Sequence, residues 1–101
     1  MSEKGGVMTN IVILKFPENI RALGGFMQGR QDYDDQVRNE IDFTVPYIIK
    51  IPDQVEWVSA SYVQGFMEHI VSHLGYSKAI DLITVKCSNK SVEHSFKTKL
   101  V

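Results

Sequence analysis

Two serines separated by one residue stand in the stretch VEWVSASYVQGFMEHI, residues 55–70, where a strand-like pattern gives way to a helix-like one. A hydroxyl at a helix start accepts a hydrogen bond from an unpaired backbone N–H, and Ser61 followed by Gln64 fits the capping-box spacing. A serine in an exposed first turn also tolerates a phosphate, because free N–H groups and the positive dipole end favour negative charge there. Ser59 and Ser61 are therefore candidate helix caps, and Ser61 is also a candidate phospho-acceptor.

The helix that follows the serines predicts a surface beside them. Its apolar residues recur at the spacing of one helical face, which must pack on a sheet: Val63, Phe66, Met67, Ile70, Val71 and Leu74. The opposite side, facing solvent, then carries Ser61, Gly65, Glu68 and Ser72. We expect Gly65 either to leave a flat spot that a partner's backbone can approach, or to be a tolerated surface glycine.

Other residue types that carry chemistry are isolated in this chain. His69 and His73 have a spacing that can bind a metal, but the sequence shows no third ligand nearby and lacks the glutamate of the protease motif. We therefore expect solvent-exposed histidines and no metal site. Cys87 closes an apolar strand, which predicts a buried, unreactive thiol.

Motifs of nucleophilic and phosphate-transfer enzymes are missing from the sequence. It contains no G-x-S-x-G elbow, no phosphate-cradling glycine loop and no paired acids beside a predicted cleft. We expect a non-enzymatic protein without a cofactor. Binding of a small ligand near Gly24-Gly25 stays open but has little support.

Composition limits the compartment and the partners. The 101 residues suit one domain, and 44% hydrophobic with 23% charged residues is ordinary for a folded protein. A net charge of −1 argues against a nucleic-acid partner, since phosphate contacts need clustered positive charge. A single cysteine, no signal-peptide pattern and no apolar run of about 20 residues predict a cytoplasmic protein without a membrane segment.

The strand and helix signals alternate along the chain. Residues 1–8 are predicted to be a flexible tail before a domain at 9–101. Apolar, β-branched runs predict strands in TNIVILKF (9–16), PYIIKIP (46–52) and LITVKC (82–87). DQVEWV is expected to be an extended link, and the glycines in 17–31 predict a loop or an imperfect hairpin.

Three helices fill the remaining segments. The stripe Tyr33, Val37 and Ile41 predicts one at 32–43, with its acids at the positive end of the dipole. The helix after the serines should end near Gly75, and 89–100 should form a last helix with Val92, Phe96 and Leu100 on one side. This order predicts a single small α/β domain, in which a mixed, mostly parallel sheet of about four strands packs against about three helices.

Two segments resemble a known family. YIIKIPDQVEWVSASYVQGFMEHI is similar to the centre of STAS domains, the class of bacterial anti-sigma-factor antagonists, and closer to the uncharacterised STAS-like branch. GRQDYDDQVRNEI resembles the helix before the strand in that branch. Against the antagonists' Asp-Ser-Ser-Gly signature, Ser59 matches the aspartate, Ala60 the first serine, Ser61 the phosphorylated serine and Tyr62 the glycine.

The resemblance implies a module that acts by protein–protein contact in a bacterial regulatory pathway, with a histidine-kinase-like ATPase as the partner. We predict that this partner contacts Ser59, Ser61, Tyr62, Gly65 and His69. The alternative is a self-assembling structural or scaffold subunit without a phospho-switch, a homodimer that buries Trp57 or the exposed helix face. Trp57 is expected in the core or at its rim, or exposed as an anchor for a partner.

Overall fold

The computed structural model describes residues 10–99, which form five strands and three helices. The strands are β1 (Asn10–Ile13), β2 (Ala22–Leu23), β3 (Tyr47–Lys50), β4 (Trp57–Val58) and β5 (Ile83–Lys86). The helices are α1 (Phe26–Gln36), α2 (Ala60–Leu82) and α3 (Lys90–Thr98). The predicted tail at residues 1–8 and the predicted contribution of Leu100 lie outside the described residues.

All the described strand pairings are parallel. A three-stranded sheet has the order β1-β3-β5, with Ile11 opposite Ile48 and Ile48 opposite Thr84. A second sheet pairs β2 with β4, so that Ala22 lies opposite Trp57. The predicted α/β class, with a mostly parallel sheet and three helices, is confirmed. The DQVEWV segment, predicted to be only a link, ends in β4 and joins the second sheet.

The connections of the larger sheet place its helices on one face. The steps from β1 to β3 and from β3 to β5 run in the same direction across the sheet. Because such crossovers are right-handed, α1 and α2 lie on the same side. Val12 and Ile49 point to that side and are buried in the core, whereas Ile11 and Ile13 alternate with them and are 53% and 59% exposed. The fold therefore has one layer of helices and one layer of sheet.

The first helix does not lie where the sequence predicted it. We expected a loop or hairpin over 17–31 and a helix over 32–43, but α1 begins at Phe26 and ends at Gln36. Gly25, with φ 88°, stands immediately before it, a conformation open mainly to glycine. Tyr33 and Val37 are buried as their stripe predicted, although Val37 lies just after the helix.

Gly29 explains why this helix was mistaken for a loop. Helix propensity counts an interior glycine as unfavourable by about 1 kcal/mol. Here its lack of a side chain is required, because an added Cβ would overlap the Tyr62 carbonyl oxygen and lie 2.9 Å from the Phe66 amide nitrogen. The glycine lets the backbones of α1 and α2 approach closely, and this packing outweighs the propensity cost.

The other two helices follow their predictions more closely. Gly75 has φ 81° and interrupts α2 as expected, but helical residues resume and continue to Leu82. On α3, Asn89 caps the helix, and Val92 and Phe96 are buried. Within residues 10–99, none of the helices combines the length and the apolar character that crossing a membrane requires.

Candidate functional site

Two helices begin side by side at the ends of two paired strands. β2 leads through Gly24 and Gly25 into α1, and β4 leads through Ser59 into α2. The amide of Ser59 donates a 2.9 Å hydrogen bond to the Leu23 carbonyl, which extends the pairing of these strands by one residue. Because the strands are parallel, both helix N-termini, with their free N–H groups, lie at the same edge of the small sheet.

The Ser59 hydroxyl joins the two helix starts. Its oxygen accepts hydrogen bonds from the Tyr62 amide at 3.0 Å and from the Gly25 amide at 3.3 Å, and it lies 3.1 Å from the Ser61 hydroxyl. Of the two candidate caps, Ser59 is therefore the N-cap of α2, and the capping box predicted for Ser61 is wrong. Ser61 lies in the first turn and is exposed, as predicted. We call the following residues the serine joint: Gly24, Gly25, Ser59, Ala60 and Ser61.

Apolar and cationic side chains border the serine joint. Trp57 is 54% exposed, so it is not a core residue, and a Cβ added at Gly24 would lie 3.8 Å from its ring. The ammonium of Lys99 donates a 2.8 Å hydrogen bond to the Val58 carbonyl and lies 5.7 Å from the centroid of the indole ring. Tryptophan is enriched in protein-contact surfaces, and the cation–π contact with Lys99 holds this ring at the border of the joint.

Met27 was missed by the sequence reasoning. It lies in the first turn of α1 and is 74% exposed. The assignment of 17–31 to a loop concealed it, because a loop gives no face to assign. The pattern that would have placed Met27 on a helix is Gly24-Gly25 followed by FMQGRQDYDD. In this pattern Gly25 precedes a helix rather than breaking one.

Tyr62 does not offer the contact surface that was predicted for it. Its side chain is fully buried, and its hydroxyl donates a 2.7 Å hydrogen bond to Asp32 Oδ2. The other carboxyl oxygen of Asp32 accepts from Gln28 Nε2 at 2.8 Å. Burial, together with Asp32, raises the pKa of the Tyr62 phenol well above its usual range, so the phenol keeps its proton and remains a donor.

Gly65 is also buried, so its prediction as a solvent-facing flat spot is wrong. A Cβ at this position would overlap the Phe26 carbonyl oxygen. The flat spot exists, but α1 of the same chain occupies it. The other residues predicted on this face, Ser61, Glu68 and Ser72, are exposed as expected.

His69 is half-buried and belongs to an aromatic cluster. A 2.8 Å hydrogen bond joins its Nδ1 to the Tyr33 hydroxyl, and its ring lies 5.6 Å from that of Phe43 and 4.4 Å from that of His73. Burial lowers the pKa of His69, and the positive charge of Arg38 adds to the effect. The same environment raises the pKa of Tyr33 to about 12, mainly through burial. His69 is therefore engaged within the fold and contributes only its remaining exposed edge to a surface.

His73 and Cys87, for which the sequence predicted no binding role, lie apart from the serine joint. His73 is exposed and bonds through Nδ1 to the His69 carbonyl oxygen. Across residues 10–99, no three or more His, Cys, Asp or Glu side chains are grouped closely enough to hold a metal ion. Cys87 is a buried free thiol, as predicted.

No protein-family model, curated protein or solved structure significantly matches this chain. The serine joint is therefore the feature from which a function is inferred. Among the residues predicted to meet a partner, the joint contains Ser59 and Ser61, and the exposed Trp57 and Met27 lie next to it. The joint also includes the Gly24-Gly25 pair that the sequence had assigned to a separate loop.

Proposed function

We propose that this chain is a non-enzymatic protein-interaction module of a bacterial regulatory pathway, with the serine joint as its contact surface and Ser61 as a phosphorylation switch. The observation that carries the proposal is the exposed Ser61 hydroxyl in the first turn of α2, bordered by the exposed Trp57. The resemblance to STAS-like domains supplies the class of partner, a histidine-kinase-like ATPase, and the cytoplasm as the compartment.

The capping geometry favours a switch that leaves the fold intact. Ser59 accepts the hydrogen bond that caps α2, so a phosphate on Ser61 removes no cap. The phosphate would stand near the N-termini of α1 and α2, where unpaired N–H groups and the helix dipoles favour negative charge. Phosphorylation would then change the surface without unfolding the domain.

The surroundings of Ser61 explain how the phosphate would act on a partner. A partner that buries Trp57 and Met27 must remove water from the surface between them. A phosphate adds about 1.5 to 2 negative charges, which are costly to desolvate against an apolar contact. The phosphorylated form should therefore release such a partner, and the unmodified form should bind it.

The test is a pull-down from cells of the source organism with three forms of the purified chain: wild type, Ser61→Asp and Ser72→Asp. Ser72 is a matched control, since it is an exposed serine on the same helix but lies away from the joint. Wild type and Ser72→Asp should retain a kinase-like ATPase that Ser61→Asp loses. With ATP, that enzyme should phosphorylate wild type on Ser61 and leave Ser61→Ala unmodified in mass spectrometry.

Two results contradict the proposal. Equal retention of the ATPase by all three forms would show that Ser61 has no part in the contact. A loss of thermal stability in Ser61→Asp that matches the loss of binding would show that the substitution acts on the fold.

The exposed Trp57 also favours the second candidate function, a self-assembling subunit that buries this ring in a homodimer. Sedimentation at increasing protein concentration distinguishes the two functions. The interaction module remains monomeric at every concentration, whereas the self-assembling subunit dimerises and reverts to a monomer when Trp57 is replaced by alanine.

A further inference from the structure

The three-stranded sheet has a second face that the described helices leave bare. We call it the outer face, and it consists of Ile11, Ile13, Ile48, Lys50, Thr84 and Lys86, which alternate along β1, β3 and β5 with the buried residues. Parallel sheets occur almost only where both faces are covered. Ile11 and Ile13 are nevertheless 53% and 59% exposed. The outer face is therefore a surface that a further element can cover.

The register of the strands gives the outer face a polarity. One row across the sheet is Ile11, Ile48 and Thr84, and the next row is Ile13, Lys50 and Lys86. Two of the three isoleucines therefore lie toward the start of the strands, and the two ammonium groups stand together at the carboxyl ends, in the same row as Ile13.

No acidic residue belongs to the outer face. Within residues 10–99, the carboxylate recorded beside Lys86 is that of Glu93 on α3, at 3.9 Å, and Glu93 also pairs with Lys90 at 3.2 Å. An occupant that brings its own carboxylates would therefore gain charge pairing with Lys50 and Lys86.

The size of the outer face decides between a second copy of the chain and a single helix. Three strands of four residues form a surface about 14 Å wide and about 13 Å long, or about 200 Å². A stable protein dimer buries about 800 Å² on each partner. A second copy docked through its own outer face would also bring lysines and no carboxylates to the contact. An α-helix with its side chains is about 10 Å wide and fits the surface.

We propose that the outer face binds one amphipathic helix of a partner protein. The apolar stripe of that helix covers Ile11, Ile13 and Ile48, and acidic side chains beside the stripe pair with Lys50 and Lys86. This site lies on β1, β3 and β5, whereas the serine joint lies at the ends of β2 and β4. It does not depend on the function proposed for the joint.

Two synthetic amphipathic peptides test the proposal. Their length of about 16 residues exceeds the roughly 12–15 residues below which an isolated helix is marginal in water. They share one leucine stripe and differ only in its flanking residues, which are glutamate in the first and lysine in the second. Binding is measured by NMR titration of the ¹⁵N-labelled full chain. The glutamate peptide should shift the amides of β1, β3 and β5, and the lysine peptide should bind about tenfold more weakly.

Substitutions then locate the binding site. Ile13→Thr keeps a β-branched residue in the strand but removes apolar surface. It should lower the affinity for the glutamate peptide about tenfold. Trp57→Ala is the control, since Trp57 is an exposed apolar residue beside the serine joint, outside the outer face. It should leave the affinity for the glutamate peptide unchanged.

Several results would overturn the proposal. These are equal affinity for the two peptides, shifts confined to the residues around Trp57, unchanged binding by Ile13→Thr, and no binding at millimolar peptide. A dimer that Ile13→Thr dissociates would identify a second copy as the occupant. Peptide affinity that rises after deletion of residues 1–9 would identify the chain's own N-terminal segment.

Discussion

The hydroxyl of Tyr62 on α2 donates a 2.7 Å hydrogen bond to the carboxyl group of Asp32 on α1, and both residues are buried. The pair links the two helices inside the core. Successive residues of a helix point about 100° apart. Tyr62 and Val63 are both buried, so Ser61, about 100° before Tyr62 and about 200° before Val63, points to solvent. The buried pair therefore helps to position the exposed hydroxyl on which the proposed switch depends.

Tyr62→Phe should destabilise the protein by about 1–3 kcal/mol, because it leaves the buried Asp32 carboxyl group without one of its donors. Urea unfolding measures the change. Tyr76→Phe is the matched control, since Tyr76 is 53% exposed, and it should alter the free energy of unfolding by less than about 0.5 kcal/mol. Equal effects of the two substitutions would show that the Tyr62 hydroxyl contributes nothing to stability.

Gly65→Ala distinguishes a buried glycine from a surface glycine by the sign of its effect. At a surface position, the higher helix propensity of alanine should raise the free energy of unfolding by about 1 kcal/mol. At Gly65 we expect a net loss of about 2 kcal/mol, because the methyl group meets the Phe26 carbonyl and must separate α1 from α2.

Gly24→Ala is the control for this measurement, since its added Cβ would have ordinary contacts, 3.8 Å from the Trp57 ring and 3.9 Å from the Ser59 hydroxyl. It should leave the unfolding midpoint nearly unchanged. A Gly65→Ala protein more stable than wild type would contradict the close approach of the two helices.

The two serines should respond differently to replacement by alanine. Ser59→Ala removes the acceptor for the amides of Tyr62 and Gly25, and the loss of a cap costs about 1 kcal/mol. Ser61→Ala removes an exposed hydroxyl and should cost less than about 0.5 kcal/mol. Thermal or urea unfolding of both variants checks this, and a larger loss for Ser61→Ala would reverse the assignment of the cap.

His69 should make stability depend on pH in the range just below neutrality. Its pKa in the folded protein is lowered by burial, Arg38 and His73, and partly restored by Asp34, whereas the unfolded chain has a value of about 6.5. The unfolded state therefore binds the proton more readily. Stability is complete above about pH 6.5 and falls as the pH decreases below it.

Urea unfolding between about pH 5.5 and pH 7.5 measures this dependence, which cannot exceed about 1.4 kcal/mol per pH unit for one proton. His69→Gln should flatten the curve. His94→Gln, which replaces an exposed histidine on α3, should keep the slope. The same slope in His69→Gln as in wild type would assign the effect to another group.

The sequence by itself determined the elements that carry their own periodic signal. Continuous β-branched runs located β1, β3 and β5 to within a few residues, and the apolar stripe on α2 identified the buried Val63, Phe66, Met67 and Ile70. These predictions succeed because burial of a strand or of a helical face leaves its pattern in adjacent residues. The exposed position of Ser61 follows from the same pattern.

Only the tertiary structure decided the features that depend on two distant segments. Gly29 and Gly65 look unfavourable in an isolated helix, but each permits contact with the other helix. Ser59 and Ser61 both fit a cap, and the choice depends on the pairing of β4 with β2, a strand of two residues that is too short for a periodic signal. Asp32 and Tyr62 look like surface residues until each supplies the hydrogen-bond partner that the other needs in the core. Propensity describes one segment, whereas these choices arise from contacts between segments.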